Sequence, residues 1–320
     1  MNRQEILLKQ IRKKLSEKES INDEIASVLE ISYDAAHRRV SGKSKFSIEE
    51  TIQLASHFGI SLDNLYFSKQ NVIVEKTIEV TNLQEMQMYF KNSATKIESL
   101  SQNFDSILYY SAKDIPLFYF MDATIISKFK AFVWLNLLNS NVSHDTFEKF
   151  VITESFVEPM QKLKKAYEKL NVREIWNDST INSSLQQIQY FYEADLLSFK
   201  SAVALFQDLK RILNNLKEKL NKKESNFSIY YNELVMLDNN LLFENNKKLT
   251  LFVPYTLLGY FITNNFESCQ NVQKWFLQQF KNSKPLHQLG VKEQNIFFNK
   301  AIRKIDYYEQ KLNNQVDLMY

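Results

Sequence analysis

Glycine and proline let a chain turn sharply, and four of each in 320 residues leave few places for tight turns. A sheet of many strands or a series of βαβ units calls for many such turns. The scarcity therefore points to a mainly α protein with no more than a short antiparallel β element. The four glycines, Gly42, Gly59, Gly259 and Gly290, are also isolated from one another. Neither a phosphate-cradling G-x-x-x-x-G-K nor a G-x-G-x-x-G dinucleotide turn can be assembled from them.

Other chemistry is equally poorly supplied. The histidines are His37, His57, His144 and His287, without H-E-x-x-H or a Cys-His cluster at metal spacing. Ser143, His144 and Asp145 are triad residue types, but neighbours in sequence rarely face one another and no G-x-S-x-G accompanies them. No cofactor, metal or enzymatic activity is expected. Cys269 is the only cysteine, so no internal disulfide forms and the cytoplasm is the natural compartment. The apolar runs "FVPYTLLGYFI" and "FKAFVWLNLL" fall short of the roughly 20 residues that span a bilayer, and the second contains Lys130 and Asn136. The polar, charged Met1 end lacks the apolar core of a signal peptide. No membrane partner is expected.

The first seventy residues read as a series of short helices. "NRQEILLKQIRKKLSEK" places Ile6, Leu7, Ile11 and Leu15 on one face. "SINDEIASVLEI" starts with Ser20 and Asp23 in a capping relationship, then runs Ile21, Ile25, Val28 and Leu29 inward. After the turn at Ile31, Ser32 caps a third helix with Ala36 and Val40 inward, closed by Gly42. "SIEETIQLASHFG" carries a capping box at Ser47 and Glu50, expects Ile48, Ile52, Ala55 and Phe58 inward, and ends at Gly59. "SLDNLYF" adds a fifth short turn. This gives a domain of four to five helices over 1–68 and a polar linker over 69–82 with room for a short strand.

The stretch from Ile25 to Lys43, with "SIEETIQLASHFGISLD" after it, resembles the helix-turn-helix domain of the λ-repressor-like (XRE) bacterial regulators. Ala26 matches the small residue where the two helices cross, Ala36 the inward position of the recognition helix, and Gly42 its closing glycine. The turn position that is commonly glycine is Glu30, which suggests a turn avoiding a left-handed residue. Arg39 stands where many relatives are apolar, which leaves open whether Arg38 or Arg39 faces the groove. The resemblance implies double-stranded DNA as partner. The helix at residues 32–41 would enter the major groove with Tyr33, Asp34, His37 and Arg38 toward the bases, while Ser20, Arg39, Ser41, Lys43 and Lys45 meet phosphates. A net charge of +3 is too small to argue the same point globally. The plain alternative is that "RR" and "GKSK" form a solvated helix end.

Residues 83–320 read as a helical domain. Leu83, Met86, Phe90, Ile97, Leu100, Phe104 and Ile107 run close to a heptad seam interrupted at Ser93, in a dimer helix or a core helix. Helical faces recur in "ATIISKFKAFVWLNLL", "VEPMQKLKKAYEKL", "SSLQQIQYFYEADLL", "KSAVALFQDLKRILNNLKEKL" and "VKEQNIFFNKAIRKIDYYEQKL". "FSIYYNELVMLDNNLLFENNKKLTLFVPY" alternates, as two or three short antiparallel strands would. Several of these segments resemble the large C-terminal region of a group of bacterial helix-turn-helix regulators, a resemblance that supplies no activity for it. Aromatic residues make up 13% of the chain, either as core or as the walls of a pocket where Asp114, Glu193 or Asn232 orient a small-molecule or peptide effector. The expectation is a transcriptional regulator acting as a homodimer, with dimerisation or sensing in the second domain. The alternative is a helical scaffold for a protein or peptide, with a purely structural helix-turn-helix.

Overall fold

The computed structural model describes residues 3–16, 19–62, 65, 72–101, 106–138, 145–222, 226–246 and 248–317. Phe104, Ser143, His144, linker residues 69–71 and most of the expected fifth turn lie outside them. The chain divides into two compact units, Met1–Ile73 and Val74–Tyr320.

In the first unit α1 (Arg3–Lys14), α2 (Ile21–Leu29), α3 (Tyr33–Val40) and α4 (Ile48–His57) surround a small core of Leu7, Leu8, Ile11, Ile25, Leu29, Ala36 and Leu54. The Ser32 hydroxyl accepts from the Ala35 N–H (3.3 Å), and Ser47 and Glu50 form the complete capping box. Two expectations need correction. The inward stripe of α4 is Thr51, Leu54, Ala55 and Phe58, an i, i+3, i+4, i+7 set, and it leaves Ile48 and Ile52 75% and 55% exposed. Glu30 does adopt the left-handed conformation, at φ 54°, and ends α2 with the Ile31 N–H returning to the Ala26 carbonyl (3.0 Å), a Schellman closure built without glycine.

The second unit overturns the expectation of a helical domain with a short antiparallel element, because it is built on an eight-stranded mixed sheet. The strands are β1 (Glu75–Lys76), β2 (Ile107–Ser111), β3 (Asn171–Trp176), β4 (Phe227–Tyr231), β5 (Leu241–Asn245), β6 (Lys248–Pro254), β7 (Tyr260–Thr263) and β8 (Lys284–Pro285). Their spatial order is β1-β7-β6-β5-β2-β3-β4-β8. β2, β3 and β4 are parallel and every other pairing is antiparallel. Helix α5 (Leu83–Leu100) precedes β2, so the expected seam ends before Ile107, which opens a strand. α6 (Ile125–Leu138) and α7 (Glu154–Glu168) carry the chain from β2 to β3, and α8 (Asn182–Glu193) and α9 (Phe199–Leu220) from β3 to β4. α10 (Phe266–Lys281) follows β7, and α11 (Val291–Asp317) follows β8.

The strand period of two assigns the faces. Leu108, Tyr110, Val172, Trp176, Phe227, Ile229, Leu241 and Phe243 join the main core with α5 to α9 and α11. Tyr109, Ile175, Leu242 and Leu251 pack on the opposite face against Cys269, Phe276 and Phe280 of α10. The latter part of the segment read as linker is built into this unit: β1 pairs with β7, and Val80 is buried.

Candidate nucleic-acid interface

The local chemistry of the first unit fixes how α3 is presented. Ala36 has no exposed surface and lets α3 cross α2 closely, and half-buried Val40 adds to the same inward edge. Tyr33, Asp34, His37 and Arg38 are all exposed on the outer face. The Tyr33 and His37 rings stack nearly parallel with centroids 6.5 Å apart, and the Tyr33 hydroxyl accepts from Asn22 of α2 (3.2 Å). This shelf of two rings is one helical turn long. Asp34 lies in the first turn of α3, where a carboxylate suits the helix dipole.

Arg39 does not join the free cations. Its Nε and one terminal nitrogen donate to the Glu50 carboxylate at 3.0 and 2.7 Å, and the other terminal nitrogen donates to the Ala35 carbonyl at 3.1 Å. The Arg39 hydrogen bonds hold the Glu50 carboxyl below its ordinary value. Arg39 thus ties the last turn of α3 to the first turn of α4, and of the two arginines Arg38 is the one left exposed. Ser20, Ser41, Lys43 and Lys45 are exposed. Ser20 occupies the N-cap of α2 but its side chain makes no capping bond, unlike the box expected with Asp23, so the first-turn N–H groups receive nothing from it. The Ser41 hydroxyl donates to the Arg38 carbonyl (3.2 Å). No carboxylate pairs with Arg38, Lys43 or Lys45 among the described residues.

Gln4 is a positioning residue that helical periodicity did not single out. Its amide donates to the carbonyls of Arg39 (2.7 Å) and Ser44 (3.0 Å) and accepts from the Phe46 N–H (3.1 Å). One side chain of α1 therefore holds the loop that carries Lys43 and Lys45. Gln53 does the same for α2, donating to the Val28 carbonyl (2.6 Å). Neither has a local sequence signature, because each bond joins residues 25 or more apart.

The polar residues expected to orient an effector are not gathered. The Asp114 N–H donates to Asn239 (3.2 Å), Glu193 accepts from Gln189 (2.6 Å) and faces Lys311, and Asn232 donates to Ser283 (3.2 Å). Among the described residues no group of three or more His, Cys, Asp or Glu could hold a metal ion, and no helix is long and apolar enough to cross a membrane.

Comparison with known proteins adds one match. A family model described as the BetR domain matches residues 2–106, about a third of the chain, covering α1 to α4, β1 and α5. No match was found among curated proteins or among solved structures.

Proposed function

We propose that this chain is a sequence-specific DNA-binding transcriptional regulator, with α3 in the major groove. The observation that carries the reading is the division of α3 into two faces. Ala36, Val40 and the Arg39–Glu50 pair anchor one, and the other presents Tyr33, Asp34, His37 and Arg38. Arginine suits the two acceptors of guanine, an aromatic edge suits a thymine methyl, and Asp34 suits a cytosine amino group. Lys43 and Lys45, held by Gln4 through the loop backbone, and the uncapped start of α2 at Ser20 are phosphate contacts in this reading. The first unit carries almost as many acidic as basic residues, so the attraction is local, not a general basic field.

One helix of this length reads only a few base pairs, and useful specificity calls for a homodimer on a palindromic site. The action is binding without catalysis, in the cytoplasm. Selection of fragments bound by the full chain from random duplex DNA tests the reading. Recovery of half-sites about 10–10.5 base pairs apart, centre to centre, supports it. No enrichment, or binding indifferent to salt where several released counterions are expected, overturns it.

A further inference from the structure

The second unit carries a partly open cavity of about 180 Å³ between α5 and the sheet. Native interiors rarely keep voids larger than a water molecule, and an apolar space of about 150 Å³ is large enough to take benzene. Most of the wall is apolar, with Ile97 of α5 and Phe243 of β5 among its members. Three tyrosines interrupt it: Tyr89 of α5, Tyr110 of β2 and Tyr260 of β7. The Tyr260 hydroxyl donates a long, weak hydrogen bond to the Asn239 carbonyl (3.4 Å), which a ligand oxygen can displace. Burial raises all three phenols, Tyr260 to about 12, so they remain protonated hydrogen-bond donors.

Charge at the rim narrows the ligand class. Lys96 is paired with Glu75 at 2.8 Å and Lys76 with Glu79, so both rim ammonium groups are already balanced. A carboxylate entering the cavity would lose its hydration without gaining a cation. We propose that this cavity binds a small neutral molecule, an aromatic ring or short aliphatic chain bearing one carbonyl or hydroxyl oxygen that the tyrosine hydroxyls meet.

Occupancy has a direct route to the start of the unit. Glu75, Lys76 and Thr77 line the cavity and follow the unit boundary at Ile73–Val74. β1 is held to β7 through Glu75 and Lys76, and Thr77 exchanges two hydrogen bonds with the Tyr260 backbone: its N–H to the carbonyl (3.0 Å) and its hydroxyl from the Tyr260 N–H (2.9 Å). A ligand held by Tyr260 therefore stabilises β1. Regulation of DNA binding by this route rests on the regulator reading above; ligand binding itself does not.

The test uses the full chain and no DNA. Acetophenone and benzoate, similar in size and differing in charge, are titrated by ligand-observed NMR, with hydrogen exchange followed at the Thr77 amide. Acetophenone should bind saturably and at least about 10-fold more tightly than benzoate, and should slow exchange at Thr77. Tyr260→Phe, which keeps the ring and removes the hydroxyl, should weaken acetophenone about 5–10-fold. Ile97→Trp should fill the space and abolish binding. Absence of acetophenone binding, unchanged affinity in folded Ile97→Trp, or unchanged affinity in Tyr260→Phe overturns the site. Tighter binding of benzoate overturns the neutral ligand class, and unaltered exchange at Thr77 overturns the coupling to β1.

Discussion

The Arg39 guanidinium grips the Glu50 carboxylate through two nitrogens, at 3.0 and 2.7 Å, and so joins the end of α3 to the start of α4. The same carboxylate accepts from the Ser47 N–H (2.9 Å) as part of the capping box. Glu50 thus sets the direction of α4 and the roll of α3 together, and the roll decides that Arg38 faces outward.

Arg39→Ala is accordingly a stability variant. With both side chains about one-fifth exposed, a double-mutant cycle between Arg39→Ala and Glu50→Ala should give a coupling of roughly 1 kcal/mol, between the values of exposed and buried pairs. The Glu50 carboxyl is lowered from 4.5 in the folded chain, so this contribution is present above about pH 4.5 and is lost as the pH falls through the lowered folded value. Chemical unfolding at pH 7 and pH 3 checks it. Equal coupling at the two pH values would mean that the pair does not depend on the ionised Glu50 carboxylate.

Arg38→Ala should leave stability nearly unchanged, because its exposed side chain has no protein partner among the described residues. On a selected DNA site it should cost about 1–3 kcal/mol and relax the choice of base at one position. Lys43→Ala should weaken all sequences alike and reduce the salt slope by roughly one. Binding measured on the preferred site and its single-base variants, over a salt series, separates the two. A uniform loss for Arg38→Ala would turn the base-facing side of α3 away from Arg38.

Glu30→Gly should stabilise the first unit. At φ 54° a residue with a Cβ is strained by about 1 kcal/mol where glycine is not, and the extra backbone freedom of glycine in the unfolded chain returns part of that. The net expectation is a gain of roughly 0.5 kcal/mol, read as a higher denaturant midpoint at unchanged slope. A loss would mean that the Glu30 side chain holds the turn by other means.

Glu30 also shows where the sequence misled, because a left-handed turn without glycine carries no local signature. The caps at Ser32 and Ser47, the buried Ala36 and the closing Gly42 at φ 77° have local signatures, and the helices bounded by them were readable. The sheet was not, because its turns seldom use glycine. Asn239, before β5, and Asn246, in the turn between β5 and β6, take the left-handed conformation instead, and the parallel strands are joined through helices. β3, "NVREIW", hides its character further. Its buried Glu174 is held by the Trp176 indole (2.6 Å) and by the hydroxyls of Tyr119 (2.8 Å) and Tyr167, partners supplied largely by other elements. The Arg39–Glu50 grip was invisible for the same reason: each residue had a sufficient local explanation.

A last prediction concerns Lys130, 3% exposed on α6, whose ammonium donates to Gln187 of α8 (2.6 Å) and lies 4.7 Å from the Phe120 ring centre. Burial lowers it from 10.5 to about 7, and the nearby Asp114 charge opposes only part of that. Between about pH 7 and 10.5 the unfolded chain therefore binds a proton that the folded chain releases, and Lys130 makes stability rise with pH across that window. Below about pH 7 the penalty is at its full size and constant. Lys130→Met keeps the length of the side chain and removes the charge. It should stabilise the chain at pH 7, by an amount of the order of 1–4 kcal/mol less the cost of leaving the Gln187 oxygen without its donor. The advantage over the parent chain should shrink as the pH approaches 10. Urea unfolding of both chains at pH 7, 8.5 and 10 checks the trend, and a difference that stays constant or widens with pH would mean that Lys130 remains charged in the folded chain throughout.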